Sequence, residues 1–234
     1  MIVDAQNDFC PAYESGGVCR LPGGARRLPG GVRFPEGALA VPDGCDVIAP
    51  LNALSRAFAL AGALVVATQD WHPRGHVSFA SSHPGKKPGD LVEGANGRAP
   101  ETLWPDHCAQ GTPGADFHAD LDLRPVSLII RKGARANMDS YSAFFENDGL
   151  TATGLAGALR EAGVSELVIG GLALDYCVLQ SVMDALRLGF AVALALDATR
   201  AVGRPEGSGE RALAEMRAAG IAILDSPRII EGLR

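Results

Sequence analysis

Residues able to do chemistry stand where apolar runs end. Asp4 follows MIV, Asp70 and His72 follow ALVVATQ, Lys132 follows VSLIIR, and Cys177 follows the glycine-rich path ELVIGGLALDY. Each alone has an ordinary explanation: a turn carboxylate, a solvated strand-end lysine, a buried cysteine serving as a small hydrophobe. Together, Cys177, Asp4 and Lys132 supply a nucleophile, a proton carrier and a cation that charges and orients the other two. Cys177 stands where a helix should begin. Free N–H groups and the helix dipole there, with Lys132 nearby, are expected to favour its thiolate. The glycines before it allow a tight turn that could aim successive N–H groups at one point as an oxyanion hole. The chemistry these residues suggest is acyl transfer: attack on a carbonyl, loss of a leaving group, then hydrolysis of a thioester.

Asp70 and His72, two apart on an extended segment, point to the same side and can hold one metal ion. A third ligand must come from the long loop that follows, which offers His76, His83, His107 and His118. For any one of these a solvated or structural role is the ordinary expectation. His107 is the best candidate because Trp104 and Pro105 restrict its placement. Mixed nitrogen and oxygen ligands with water suit Zn²⁺, Fe²⁺ or Mn²⁺.

Positioning these groups requires regular elements. Asp46 can cap a helix whose apolar positions Val47, Leu51, Leu54 and Phe58 follow helical spacing, with Gly62 ending it. ALVVAT (63–68) and VSLIIRK (126–132) read as strands, separated by a loop rich in His, Pro and Gly that runs to about residue 120. A helix around 151–162, the strand ELVIGGL, a helix from about 176 to 188, the strand FAVALALD, a helix around 208–219 and the short strand IAIL complete the order. Strands alternating with amphipathic helices in this way mean βαβ units and a parallel sheet covered on both faces. Ligands then sit outside the carboxyl ends of the strands, where the residues above stand.

Two parts of the chain depart from that pattern. MIVD reads as the end of a buried strand, short enough that the natural start is expected upstream of Met1. Residues 12–37 are dense in Gly, Pro and Arg, echo RLPGGAR as RLPGGVR, and show neither the strand nor the helix period. They are expected to form a long irregular or mobile surface loop without a catalytic residue. The alternative is a lid, since the segment follows Phe9 closely.

At 234 residues the chain fits one domain, with 47% hydrophobic and 21% charged residues. Twenty-one Lys and Arg against 27 Asp and Glu give a net charge of −6, which argues against nucleic-acid or anionic-membrane partners. No apolar run approaches a membrane span and no signal peptide opens the chain. The cysteines at 10, 19, 45, 108 and 177 form neither a disulfide framework nor a C-x-x-C ribbon. Free thiols in a cytoplasmic protein are the expectation.

The motifs DAQNDFCP (4–11), TQDWHP (68–73), WPDHC (104–108), DSYSAFF (139–145), RKG (131–133) and GLALDYCV (171–178) together resemble the nicotinamidase (pyrazinamidase) branch of the isochorismatase-like cysteine hydrolases. The likeness covers residues 1–11 and about 37–228. It implies a single three-layer α/β/α domain with a mainly parallel sheet. It also implies the hydrolysis of nicotinamide, a small-molecule partner, by a monomer or small homo-oligomer. Carried over position by position, Asp4, Lys132 and Cys177 would be the catalytic triad. Asp70, His72 and His107 would bind one divalent metal, zinc first, with iron or manganese as alternatives, and His76 would be a fourth ligand or a group behind them. Phe9, Trp104 and Tyr141 would line the pyridine pocket. The Leu172–Ala173 bond would be a cis peptide, with the N–H groups of Ala173 and Cys177 forming the oxyanion hole. Leu174 departs from the family's usual Thr. Rival readings are a cysteine hydrolase of another small amide, such as an N-carbamoyl compound or maleamate, and a non-catalytic interaction module of the same fold.

Overall fold

Strands apolar on both faces can be buried only if helices cover both sides of the sheet. The computed structural model describes residues 1–15, 32–94 and 100–233, with the backbone of the strands Val18–Leu21 and Gly24–Arg27. In chain order, β1 (Ile2–Val3) leads into four short strands, β2 (Tyr13–Ser15), β3 (Val18–Leu21), β4 (Gly24–Arg27) and β5 (Val32–Phe34). Then come α1 (Ile48–Leu60), β6 (Val66–Asp70), β7 (Leu91–Val92), β8 (Glu101–Thr102) and β9 (Leu128–Lys132). The remainder is α2 (Leu155–Glu161), β10 (Glu166–Leu172), α3 (Leu179–Arg187), β11 (Ala191–Arg200), α4 (Ser208–Ala218), β12 (Ala222–Leu224) and α5 (Ser226–Glu231).

Six strands form one parallel sheet in the order β12-β11-β10-β1-β6-β9. Alternate residues feed opposite cores. Ile2 and Ala67 pack under α1 and α5 with Leu51, Leu54 and Ile229. Val3, Val66 and Ile169 pack on the other side with Leu155 and Leu159 of α2, Val182 of α3 and Met216 of α4. Each fully buried Leu or Ile in these cores contributes about 1.5–3 kcal/mol relative to exposure. The result is a three-layer α/β/α domain, and β1, short as it is, lies in its centre between β10 and β6.

Gly171 makes that central placement workable. Its φ is +127°, and a Cβ there would meet the Val3 carbonyl oxygen at 1.9 Å. Gly171→Ala should therefore push β1 away from β10 and lower stability by about 3 kcal/mol or more. Asp4 would move with β1. Denaturant unfolding measures the loss, and a change below about 1 kcal/mol would contradict this packing.

Several expectations need correction. Asp46 does not cap α1: a 3₁₀ turn, Gly44–Val47, precedes the helix, and no side chain bonds its first N–H groups. Asp46 instead faces the Arg200 guanidinium at 3.5 Å. The 12–37 segment is not irregular throughout. β2 pairs antiparallel with β5, with Tyr13 stacked on Phe34 at 4.7 Å, and β3 pairs with β4. Residues 16–17, 22–23 and 28–31 of that segment lie outside the described residues, and with them part of the echo. The helix expected at 176 begins at Leu179, after a π turn over Leu174–Val178. α5 was not foreseen: Pro227 sits in its first turn and Ile229 is buried in the core beside α1. Among the described residues, no helix is long and apolar enough to cross a membrane.

Candidate active site

The carboxyl ends of β1, β6, β9 and β10 open onto one buried pocket. Asp4 leaves β1 with φ +43°. Its N–H is accepted by the Thr68 hydroxyl oxygen at 3.1 Å, and that hydroxyl donates to Asp4 Oδ1 at 2.6 Å. Gln6 fastens the same exit to β6: its Nε2 donates to the carbonyls of Asp70 and Ala115, and its Oε1 accepts the Asp70 N–H, each at 2.8 Å. Lys132 ends β9, fully buried. Its ammonium has three N–H bonds, and all three are committed: to Asp70 Oδ1 at 2.5 Å, the Ser140 carbonyl at 2.8 Å and Cys177 Sγ at 3.4 Å. Asp4 Oδ2 lies 2.9 Å from Lys132 Nζ, an ion-pair distance. Asp4, Asp70 and Cys177 present ligand atoms within 4.8 Å of one another, so the carboxylate stands beside the thiol.

Burial and neighbours set the charges. Burial, partly offset by Lys132, pushes the Asp4 carboxyl up to about 6. For Lys132 burial favours the neutral amine, but Asp4, Asp70 and Cys177 outweigh it and hold the ammonium well above its ordinary value. Burial raises the Cys177 thiol well above its ordinary value; Lys132 opposes this, while Asp4 and Asp70 add to it. Burial and the carboxylates of Asp4, Asp70 and Asp139 thus oppose the charge that the helix start and Lys132 were expected to favour on sulfur, and the residue lies inside the π turn that precedes α3.

Asp70, His72 and His107 offer ligand atoms that all lie within 4.8 Å of one another, all buried. His72 donates from Nδ1 to the Gly133 carbonyl at 2.9 Å, and His107 from Nδ1 to the Pro105 carbonyl at 2.8 Å. A carbonyl can only accept, so each neutral ring keeps its Nε2 lone pair free, the arrangement usual for metal-binding histidines. Burial, then His72, lowers His107 to about 4, keeping it neutral. Gly133 is fixed by the same ring: its φ is +60°, and a Cβ would meet His72 Cε1 at 2.4 Å. His76 stacks on His72 at 4.2 Å, but both its nitrogens are engaged, Nδ1 with Ser78 Oγ at 2.7 Å and Nε2 with the Met138 carbonyl at 3.0 Å. It stands behind the trio, with Asp139 close to both His72 and His76. His83 is engaged with the Val77 carbonyl, and His118 lies in a separate cluster with Cys10 and Cys45.

The pocket is small, with about 380 Å³ of empty volume including its mouth. Phe9, Trp104, Tyr141, Ala173 and Cys177 line it with Asp70, His72 and His107. Trp104 Nε1 donates to the Tyr141 hydroxyl at 3.1 Å, and the Leu172–Ala173 peptide is cis. A larger apolar cavity, about 730 Å³, lies at the opposite end of the sheet beneath Met1 and holds neither a nucleophile nor a metal-binding group of residues. Sequence reasoning missed Thr68, Leu39, Asp139, Tyr176 and Val202. Thr68 had a usable signal, lying two before Asp70 on one strand and hence on the same face. Tyr176 packs edge-on to Trp104 at 4.9 Å, a contact across the chain that spacing does not reveal.

Fold and site together define a class: a three-layer α/β protein whose parallel strands gather a cysteine, a lysine and two aspartates in one pocket. The chain belongs to the isochorismatase family, whose domain model matches residues 1–228. It is 44% identical over 230 residues to a nicotinamidase of Acinetobacter baylyi, covering 98% of this chain and 93% of that one. Its fold matches a nicotinamidase–pyrazinamidase of Acinetobacter baumanii with a TM-score of 0.82 and 38% identity, covering 97% of this chain and 95% of that one. A pyrazinamidase of Pyrococcus horikoshii, in complex with zinc, matches with a TM-score of 0.68 and 36% identity, covering 96% of each chain.

Proposed function

We propose that this pocket hydrolyses nicotinamide, and pyrazinamide with it, to the acid and ammonia through a thioester on Cys177. The observation that carries the reading is the buried Asp4 carboxylate beside the Cys177 thiol, with Lys132 in reach of both. Asp4 takes the Cys177 proton as sulfur attacks the carboxamide carbon. The N–H groups of Ala173 and Cys177 receive the developing oxyanion. Asp4 returns the proton to the amine, which leaves as ammonia. Water then adds to the thioester, Asp4 accepts its proton, and the acid departs as the thiol reforms. Lys132 stays charged throughout, aiming one N–H at sulfur. Phe9, Trp104 and Tyr141 hold the ring flat between them. Asp70, His72 and His107 would hold one divalent ion, zinc in this reading, which when bound supplies a Lewis-acid contact for the ring nitrogen and for ordered water. We place the reaction in the cytoplasm, in the salvage of NAD.

Ammonia release tests the substrate. Nicotinamide and pyrazinamide should turn over, whereas maleamate and N-carbamoyl compounds should not; turnover confined to the latter would overturn the reading. The Asp4 carboxyl fixes the acid limb of the pH profile. It must be ionised to accept a proton, so kcat/KM should fall about tenfold per pH unit below its pKa of about 6. A profile flat from about pH 7 to pH 5 would remove Asp4 as the base.

His107→Ala should strip the metal and raise KM for nicotinamide roughly tenfold or more, since three ligands become two. His83→Ala should keep the metal, being engaged with the Val77 carbonyl at 2.7 Å and absent from the trio. Full metal content by elemental analysis in the His107 variant would contradict the ligand set.

A further inference from the structure

Cys10 lies two residues before the 12–37 segment and Cys45 eight residues after it. Their sulfurs and a ring nitrogen of His118 lie within 4.8 Å of one another. Cys10 is fully buried and Cys45 half-buried, with the Cys45 S–H directed at the Pro11 carbonyl at 3.6 Å. His118 is 4% exposed and stacked on Tyr13 at 3.7 Å. Its Nδ1 accepts the Asp120 N–H at 3.2 Å, while its Nε2 is buried without a hydrogen-bond partner among the described residues.

The polarity of that histidine decides what the cluster can do. His72 and His107 donate from Nδ1 and keep a lone pair on Nε2, the state a metal ion needs. His118 does the reverse: a ring that accepts at Nδ1 carries its proton on Nε2. It therefore carries a buried N–H with no acceptor among the described residues and keeps no free lone pair for a metal ion. We propose that Cys10 and Cys45 are a redox-active dithiol that a peroxide closes into a disulfide across the roots of the 12–37 segment, the two sulfurs already lying within 4.8 Å of each other. The Cys45 sulfur, the more accessible, attacks one peroxide oxygen; the O–O bond breaks, giving a sulfenic acid on Cys45 and hydroxide, which takes up the proton of the Cys45 thiol and leaves as water. The Cys10 sulfur displaces hydroxide from the Cys45 sulfur, the S–S bond forms, and the Cys10 proton leaves with the hydroxide as a second water. Two thiols are oxidised by two electrons and one hydrogen peroxide is reduced to two waters. The sulfurs, now within 4.8 Å, need to approach to about 2 Å.

The bridge would lie directly behind the pocket wall. Cys10 follows Phe9, and Gly44, beside Cys45, is pressed so close to the Phe9 carbonyl that a Cβ would meet its oxygen at 2.7 Å. The experiment uses the full chain with Cys19→Ser, so that Cys10 is the sole cysteine of its tryptic peptide, residues 1–20. After brief hydrogen peroxide treatment and thiol alkylation, mass spectrometry should find residues 1–20 joined to residues 34–56, and dithiothreitol should separate them. The oxidised protein should melt about 5–10 °C above the reduced one. Adding Cys45→Ser should abolish both effects. Peroxide-treated, folded protein with Cys10 and Cys45 still fully alkylated would overturn the proposal, as would zinc found on the pair in the untreated protein and lost with Cys45→Ser.

Discussion

Lys132→Met should lose at least about a thousandfold in kcat and about 3–5 kcal/mol of stability at once. Methionine keeps the bulk but removes the ammonium. Asp4 and Asp70 would then face each other without the cation 2.9 Å from one and 2.5 Å from the other, and the Ser140 carbonyl would lose its donor. Burial already raises Asp4 to about 6 against the pull of Lys132. Without that pull Asp4 would hold its proton through neutral pH and fail as a base. The stability loss corresponds to a melting temperature lower by roughly 6–20 °C for a chain of this size. Thermal unfolding and steady-state kinetics on one preparation measure both. A variant within tenfold of the original kcat and melting within about 2 °C of it would show that Lys132 is not the charge that organises this centre.

How much of this could be read from the chain differs by element. The carboxyl-end rule for parallel sheets found Asp4, Asp70, His72, Lys132 and Cys177 because each follows an apolar run long enough, or central enough, to read as a strand. That information is local, and the sheet merely aligns it. The charge balance at Cys177 depends on groups brought from three other strands and on burial, neither of which its own neighbourhood in the sequence contains. A helix start looks electropositive on paper; burial and the nearby carboxylates oppose it.

The same distinction explains the other departures. Asp46 has the residue type and place of a helix cap, but the 3₁₀ turn before α1 leaves it facing Arg200, far along the chain. α5 has only six residues, too few for a helical period to show. The ladders at 12–37 are built from residues such as Tyr13 and Phe34, whose stacking brings together positions on either side of a Gly- and Pro-rich stretch. The roles of His76 and His118 rest on which nitrogen each ring has committed, a property set entirely by carbonyls and N–H groups from elsewhere in the fold.

The central claim is that Cys177 forms a covalent bond with the amide carbon. Cys177→Ala removes one sulfur atom from the side chain, and with it the 3.4 Å approach of Lys132. The fold should survive, and without a nucleophile the residual rate should be lower by about 10⁴-fold or more. The decisive measurement is ammonia released from nicotinamide by the folded Cys177→Ala protein beside the unaltered one. Steady release by the unaltered protein and none above background by the variant is the expected result; release by both at comparable rates would contradict a thioester mechanism.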